Sequence, residues 1–462
     1  MPETEFLSSL QSGGDRRRLK TIIILIIVYG VTIGLHFASW GRWVLLGLFG
    51  IHALRLIFAP PLPTIATDSK HNQNNQNRHS LELPELPFFS LLVSAKNEEA
   101  VIGNLVKNLC QLDYPSDRFE VWIVDDNSSD RTSEVLNILK QKYPQLKTLR
   151  RGDEAQGGKS GALNQVLALT KGDIIGVFDA DAQVPHDVLR SLVPVFQQSK
   201  IGAVQLRKAI ANATENWWTG GQASEQALDL YLQDLRVRVG GMGELRGNGQ
   251  FVRRTALNDC GGWNEQTITD DLDLTIRLHL TQWDIACLNF PAVEEEGVIN
   301  FKQLWHQRNR WVEGGFQRYL DYGSLLISNR MGFAKTFDAT LFLINQYLLP
   351  VAFIPDTIAA IALKQTPMLP PIAAFSMTLA AVTMAFGIRS SYKVSWSSAI
   401  GQTISGMIFM LHYIPVIVSV TLRMCIIPKQ LKWVKTQRQA TIGNLLEGIE
   451  LEEVKAEVKN DA

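Results

Sequence analysis

Long apolar runs lie at both ends of the chain, and a mixed segment lies between them. Thr21 to Ala38 is almost wholly apolar, and Trp43 to Ala59 is a second such run. A helix rises ~1.5 Å per residue, so about 20 residues cross a ~30 Å hydrocarbon core, and both runs are long enough. Arg55, near the end of the second run, is expected to snorkel. Arg16, Arg17, Arg18 and Lys20 precede the first run. Positive charge stays cytoplasmic, which predicts an inside N-terminus and a hairpin that returns the chain inside. No small-residue cleavage site follows the first run, which argues against a removable signal peptide. Three more apolar stretches follow the middle: Phe337–Leu363, Met368–Ile388 and Ala399–Ile427. Three crossings would leave the C-terminus outside, yet Lys429, Lys432, Lys435 and Arg438 favour the cytoplasmic face. The charge rule is the stronger argument. One stretch is therefore expected to be re-entrant or broken, at Pro350 or Pro355 in the first or at Pro415 in the last.

From Phe88 the pattern changes to short apolar runs alternating with amphipathic ones. Phe89–Val93, Val121–Val124 and Ile174–Phe178 read as buried strands. Val101, Leu105 and Leu109 recur at helical spacing, as do apolar positions between Thr132 and Leu139. This β-α-β-α order, with acids at the strand ends, predicts a parallel, doubly wound sheet that binds ligands beyond the carboxyl ends of its strands. The expected organisation is a membrane hairpin over 1–60, a polar linker over 61–87, an α/β domain over 88–320, interfacial and membrane helices over 321–428 and a cytoplasmic tail over 429–462. The linker contains His71-Asn72-Gln73-Asn74-Asn75-Gln76-Asn77-Arg78, which cannot build a core. A short surface helix is expected around 445–458.

The 462 residues carry 45 acidic and 45 basic side chains, so bulk charge gives no sign of a nucleic-acid partner. Cys110, Cys260, Cys287 and Cys425 are scattered, which argues against a zinc cluster or a disulfide scaffold.

The candidate chemistry sits at the strand ends and just beyond. Ser94-Ala95-Lys96-Asn97-Glu98-Glu99 follows the first strand, either as a nucleotide loop or with Asn97 capping a helix. Asp125 and Asp126 leave the second strand, either to cap the next helix or to bond a uracil N–H and ribose hydroxyls. Gln156-Gly157-Gly158-Lys159 lacks phosphate-loop spacing, yet Lys159 in a glycine-rich turn before a helix reaches a phosphate or base. Asp179 and Asp181 are spaced to face one cation, and hard oxygens suit Mg²⁺ or Mn²⁺ carried by a diphosphate. Thr269-Asp270-Asp271 opens a helical stretch, either as an N-cap with first-turn acids or with Asp271 as general base. Gly247, Gly249, Gly261 and Gly262 allow close backbone approach or simply shape loops. Gln307, Arg310 and Trp311 lie within about one helical turn; Arg310 suits a diphosphate and Trp311 a sugar face or a membrane interface. Trp305 and Phe316 also suit a membrane surface.

These motifs, in this order over Phe88 to Tyr319, resemble the family 2 inverting glycosyltransferases with a GT-A fold, which include cellulose, chitin and hyaluronan synthases. The resemblance implies a UDP-sugar donor, Mg²⁺, a β-linked product and a cytoplasmic site. It implies that Asp125, Asp126, Lys159, Asp179, Gln307 and Arg310 hold the UDP-sugar. It gives Asp179 and Asp181 the metal, Asp271 the role of base, and Asp270 and Trp311 the acceptor. Two places depart from the family pattern: Ser94-Ala95-Lys96-Asn97 replaces Pro-Ala-Tyr-Asn, and Asp270 replaces Glu. Gly240 to Gln250, Thr267 to Leu274 and Trp305 to Trp311 further resemble a cyanobacterial branch that moves glucose from UDP-glucose to 1,2-diacylglycerol. Such a chain would sit in the plasma or thylakoid membrane. A processive polysaccharide synthase and a non-catalytic UDP-sugar sensor are the alternatives. Intact acids at every motif position argue against the sensor, which has no need of a base.

Overall fold

A computed structural model of the protein describes residues 16–38, 40–60 and 86–427. The linker at 71–78, the basic residues after 428 and the helix expected at 445–458 lie outside the described residues. Among them, the middle of the chain forms one seven-stranded sheet. Its strands are β1 (Phe89–Ala95), β2 (Phe119–Asp125), β3 (Leu146–Arg150), β4 (Ile174–Phe178), β5 (Ile201–Ile210), β6 (Gln250–Arg253) and β7 (Asp284–Glu295). They lie in the order β3-β2-β1-β4-β6-β5-β7, all parallel except β6, which runs antiparallel to both neighbours. The expected mostly parallel α/β sheet is therefore present.

Helices on both faces explain why β1 and β4 read as unbroken apolar runs. The helix Ile102–Cys110 buries Ile102, Leu105, Val106 and Leu109 against one face. On the other, Leu92, Val124, Ile175 and Val177 meet Ala162, Leu163 and Val166 of the helix Gly158–Leu167. Edge-to-face rings of Phe89, Phe178 and Phe251 tie β1, β4 and β6 together, with centroids 5.6–6.1 Å apart. Because β1, β2, β4, β5 and β7 run the same way, their carboxyl ends share one edge.

Long helices carry the chain back and forth between this domain and a distal end. The helix Arg17–Leu35 starts at the domain, where Arg17 forks onto Asp321 and Nη1 donates to the Gln266 carbonyl at 3.1 Å. It ends at His36, whose Nε2 meets buried Asp356 at 2.9 Å. The helix Gly41–Ile57 returns, and Arg55 donates to the Val239 carbonyl instead of snorkelling. The apolar stretch Phe333–Leu363 goes out again, with a π-turn at Ile344–Leu348 ahead of Pro350, which has no N–H to give. Asp356 then caps the backbone N–H groups of Met368 and Leu369, opening the helix Leu369–Tyr392. That helix comes back to the domain, where Arg207 donates to the Ser391 carbonyl at 3.1 Å.

The last apolar stretch is broken in two. Trp396–Ile426 is apolar enough to cross a membrane, but it breaks at Leu411-His412 into Trp396–Met410 and Tyr413–Ile426, just before Pro415. Both halves lie on the domain. Ser405 accepts from Trp217 Nε1 at 3.0 Å, Tyr413 Oη donates to Glu225 at 2.6 Å, and Arg423 pairs with Glu313 at 2.7 Å. The Cys425 carbonyl accepts from Arg18 at 2.9 Å, so the stretch ends beside the start of the first helix. Pro415 lies in the first turn after the break, and Ile427 follows Cys425 beside the domain.

A buried ion network fixes the junction of domain and helices. Arg236 lies 2.8 Å from Asp338 and 3.2 Å from Glu244, and Arg246 and Arg318 also face Glu244. Removing one member of such a network leaves an uncompensated buried charge. Asp338→Ala is expected to cost about 3 kcal/mol, read as a lowered melting temperature of the detergent-purified protein. An unchanged melting temperature would show that this network does not hold the junction.

Candidate active site

The carboxyl edge of the sheet gathers most of the expected residues, though not all in the expected posture. β2 ends in Asp125, which is buried and turned into the loop that follows. Its carboxylate accepts from the Ser128 N–H at 2.9 Å and from the Ser133 hydroxyl, so it ties the loop to the next helix without capping that helix, which has Arg131 at its N-cap position. Asp126 faces outward to Arg151 Nη1 at 2.7 Å. Arg151 is itself buried and also donates to the carbonyls of Gly158 (2.9 Å) and Gln156. It shapes the glycine-rich turn, yet nothing in its sequence setting singled it out.

Asn97 does not cap a helix. The helix after β1 starts at Ile102, and Asn97, with φ 56°, accepts from the Ser129 N–H at 2.7 Å. Glu98 N–H donates to Thr132 and Arg131 N–H to Glu99, so the segment staples the β1 loop to the β2 loop.

Lys159 Nζ lies 2.7 Å from Asp179 Oδ1, so the glycine-rich turn reaches the end of β4 directly. Burial opposes the ammonium charge, but Asp179, Asp270 and Asp271 outweigh it and hold the Lys159 pKa above its ordinary range. Gly247-Asn248-Gly249 bolts this edge: Asn248 Oδ1 accepts from the Asp179 N–H at 3.3 Å and its amide faces Glu295 at 3.3 Å. Gly247 (φ 82°) and Gly249 (φ 74°) adopt a backbone that favours glycine, and a Cβ on Gly247 would lie 3.4 Å from Asp271 Oδ2. Gly261 and Gly262 shape a turn whose Gly262 carbonyl accepts from Arg277 at 2.7 Å.

Asp270 and Asp271 open the helix Asp270–Leu280. Thr269 occupies the N-cap position, but its hydroxyl makes no capping bond and has no partner among the described residues. Burial, and then the neighbouring Asp270 charge, push the Asp271 carboxyl up to about 6, against the pull of the Leu272 N–H, Lys159 and Lys208. One oxygen of Asp270 is buried without a partner among the described residues.

Lys208 was not foreseen. It sits near the carboxyl end of β5, pairs with Glu295 at 2.9 Å and donates to the Arg246 carbonyl at 3.3 Å. Its Nζ lies 5.7 Å from the centre of the Trp311 ring. Burial opposes its charge, but Glu295 and then Asp179 and Asp271 raise its pKa. A lone lysine in a strand carries no motif, which is why the sequence was silent.

The helix Phe301–Ile327 carries Gln307 and Trp311, and its Trp311 meets Lys208 at the same edge. Gln307 Oε1 is buried and unpaired among the described residues. Arg310 lies on the same turn, half-buried. The Arg308 guanidinium covers one face of Trp311, 4.1 Å from the ring centre. Phe316 does not face a membrane; it is buried and stacks on Tyr347 at 5.6 Å.

Among the described residues no group of three or more His, Cys, Asp or Glu side chains would hold a metal alone. A cation at this edge would take further ligands from a bound diphosphate.

Residues 85–314 match a family model described as glycosyltransferase like family 2. A β-monoglucosyldiacylglycerol synthase of Nostoc sp. is 53% identical over 443 residues, covering 94% of this chain and 92% of the relative. The chain belongs to glycosyltransferase family 2. A β-monoglucosyldiacylglycerol synthase of Synechocystis sp. is 49% identical over 460 residues, covering 96% of this chain and 93% of the relative. The mannosyltransferase PcManGT from Pyrobaculum calidifontis, solved in complex with GDP-Man and Mn²⁺, superposes with a TM-score of 0.51 at 20% identity, covering 83% of this chain and 99% of that one. That likeness confirms the GT-A fold of this glycosyltransferase.

Proposed function

We propose that this glycosyltransferase moves glucose from UDP-glucose to the free hydroxyl of 1,2-diacylglycerol, with inversion, giving β-monoglucosyldiacylglycerol. One observation carries the reading. The similarity to synthases named for this product runs over 94–96% of the chain, well beyond the family domain at 85–314 and through the helices that surround the site. A change of acceptor would be expected to alter those helices first.

The chemistry is one in-line displacement with no covalent enzyme intermediate. Asp271 takes the proton as the acceptor oxygen forms its bond to the anomeric carbon, and the bond to UDP breaks on the opposite side. A positioned base contributes about 10²–10⁴-fold in rate. Its raised pKa keeps Asp271 ionised above about pH 6 while making it a stronger proton acceptor than an ordinary aspartate. Arg310 and Gln307 face the diphosphate, Asp126 the nucleoside, and Asp125 holds the turn that presents Asp126. Asp179 and Asp181 would hold Mg²⁺ or Mn²⁺ together with the diphosphate. When bound, that ion offsets the charge on the departing group. Lys159 orients Asp179 for it. Asp270 and Trp311 lie on the acceptor side.

The helices Arg17–Leu35, Gly41–Ile57, Phe333–Leu363 and Leu369–Tyr392 cross the bilayer in this reading, and Trp396–Ile426 lies along its cytoplasmic face. Four crossings leave Arg16, Ile427 and the site on the cytoplasmic side, where Arg16, Arg17, Arg18 and Lys20 belong.

Membranes containing the protein, given labelled UDP-glucose and then extracted with chloroform, should yield a labelled small lipid. UDP-galactose should give much less. Label confined to insoluble polymer would instead establish a processive synthase. Asp271→Asn should lower lipid labelling by at least a hundredfold while the purified variant still binds UDP; normal turnover would remove Asp271 from the role of base.

A further inference from the structure

Arg308 has no part in the chemistry above, yet its surroundings are unusual. Its side chain is 2% exposed. A guanidinium so deeply placed normally spends all its N–H groups on fixed acceptors, because an unpaired buried donor is costly. Here Nη2 donates to Glu225 at 2.6 Å, while Nε and Nη1 have no partner among the described residues. The group lies flat on Trp311, and its centre is 5.6 Å from the Tyr413 ring. The Tyr413 hydroxyl donates to the other Glu225 oxygen, so one carboxylate holds Arg308 and Tyr413 together.

Two kinds of surface meet at this point. On one side, Tyr413 sits where the final apolar stretch breaks, flanked by Ile408, Leu411 and Ile414, which are 56%, 45% and 48% exposed. Trp217, Trp218, Phe301 and Trp305 gather nearby around Phe409, an aromatic belt of the kind found at lipid headgroup level. On the other side, Trp311 leads to Lys208, whose charge acts on Asp271. Arg308 therefore stands between an apolar outer face and the base.

The free donors also define what they would take. Glu225 already neutralises the guanidinium, so a second anion gains little there. An uncharged oxygen acceptor in apolar surroundings suits them better, and an ester carbonyl is such a group. We infer that Arg308 is an acceptor-binding residue: Nε and Nη1 take the ester carbonyl oxygens of the diacylglycerol, which arrives past Tyr413 from the face carrying Ile408, Leu411 and Ile414. Tyr413 swings away from Glu225 as the lipid seats. This rests on diacylglycerol being the acceptor.

The test compares two acceptors with the same free hydroxyl and chain length, 1,2-dioleoylglycerol and its dioleyl ether analogue, which has no carbonyl. With the full-length enzyme in detergent micelles, KM for the ether lipid should exceed that for the ester by about tenfold, a loss in the range of a charge-assisted hydrogen bond. Arg308→Met should raise KM for the ester lipid to the ether value and leave KM for UDP-glucose within about twofold. Equal KM values in the wild-type enzyme would overturn the assignment without any variant, which covers the case of a variant that does not fold. An ester preference that survives Arg308→Met would overturn it too. Failure of both lipids to accept glucose would instead overturn the acceptor reading itself.

Discussion

Two adjacent, half-buried carboxylates at one helix start are the constraint around which this site is built. Asp270 and Asp271 repel each other where protein atoms take the place of much of the water, and nearby positive charge offsets that repulsion. Lys159 and Lys208 supply that charge from opposite sides, one from the glycine-rich turn and one from β5. Burial, and then the Asp270 charge, outweigh that attraction and raise the Asp271 pKa. A base near neutrality is the useful outcome of a frustrated arrangement.

The helices outside the domain serve the same arrangement. Arg236, Arg318 and Arg246 converge on Glu244, and Asp338 reaches in from Phe333–Leu343 to complete the charge. The segment from Gly240 to Gln250 is thereby fixed to the apolar helices at one end and places Asn248 against Asp179 at the other. The break before Pro415 then lays the final apolar stretch over the helix that carries Gln307 and Trp311. Access to the site is set by elements that look, by composition, like ordinary spans.

Much of this was legible in the sequence because its cause is local. Aliphatic runs marked β1, β2 and β4, and the acids that end β2 and β4 marked the edge where Asp126 and Asp179 sit. β3 was missed, since Leu146–Arg150 has polar positions at an edge and no aliphatic run. β6 and the reversal it brings depend on which strands it pairs with, which no local pattern encodes. Hydropathy measures what a stretch tolerates, whereas the break in the final apolar stretch and its contacts, such as Tyr413 with Glu225, are visible only in the fold. Lys208, Arg151 and Arg308 were passed over because a single basic residue carries no spacing signal; only the fold shows what each one faces.

The proposed base, Asp271, is tuned by the Asp270 charge beside it. The direct measurement is kcat/KM for the lipid acceptor against pH, in the wild-type enzyme and in Asp270→Asn. The wild-type profile should rise with pH through an inflection near 6, because the base works only when ionised. Removing the Asp270 charge should move that inflection to lower pH, leaving only the part of the shift that burial causes. An inflection that stays in place, or a profile flat between about pH 5 and 8, would contradict the account.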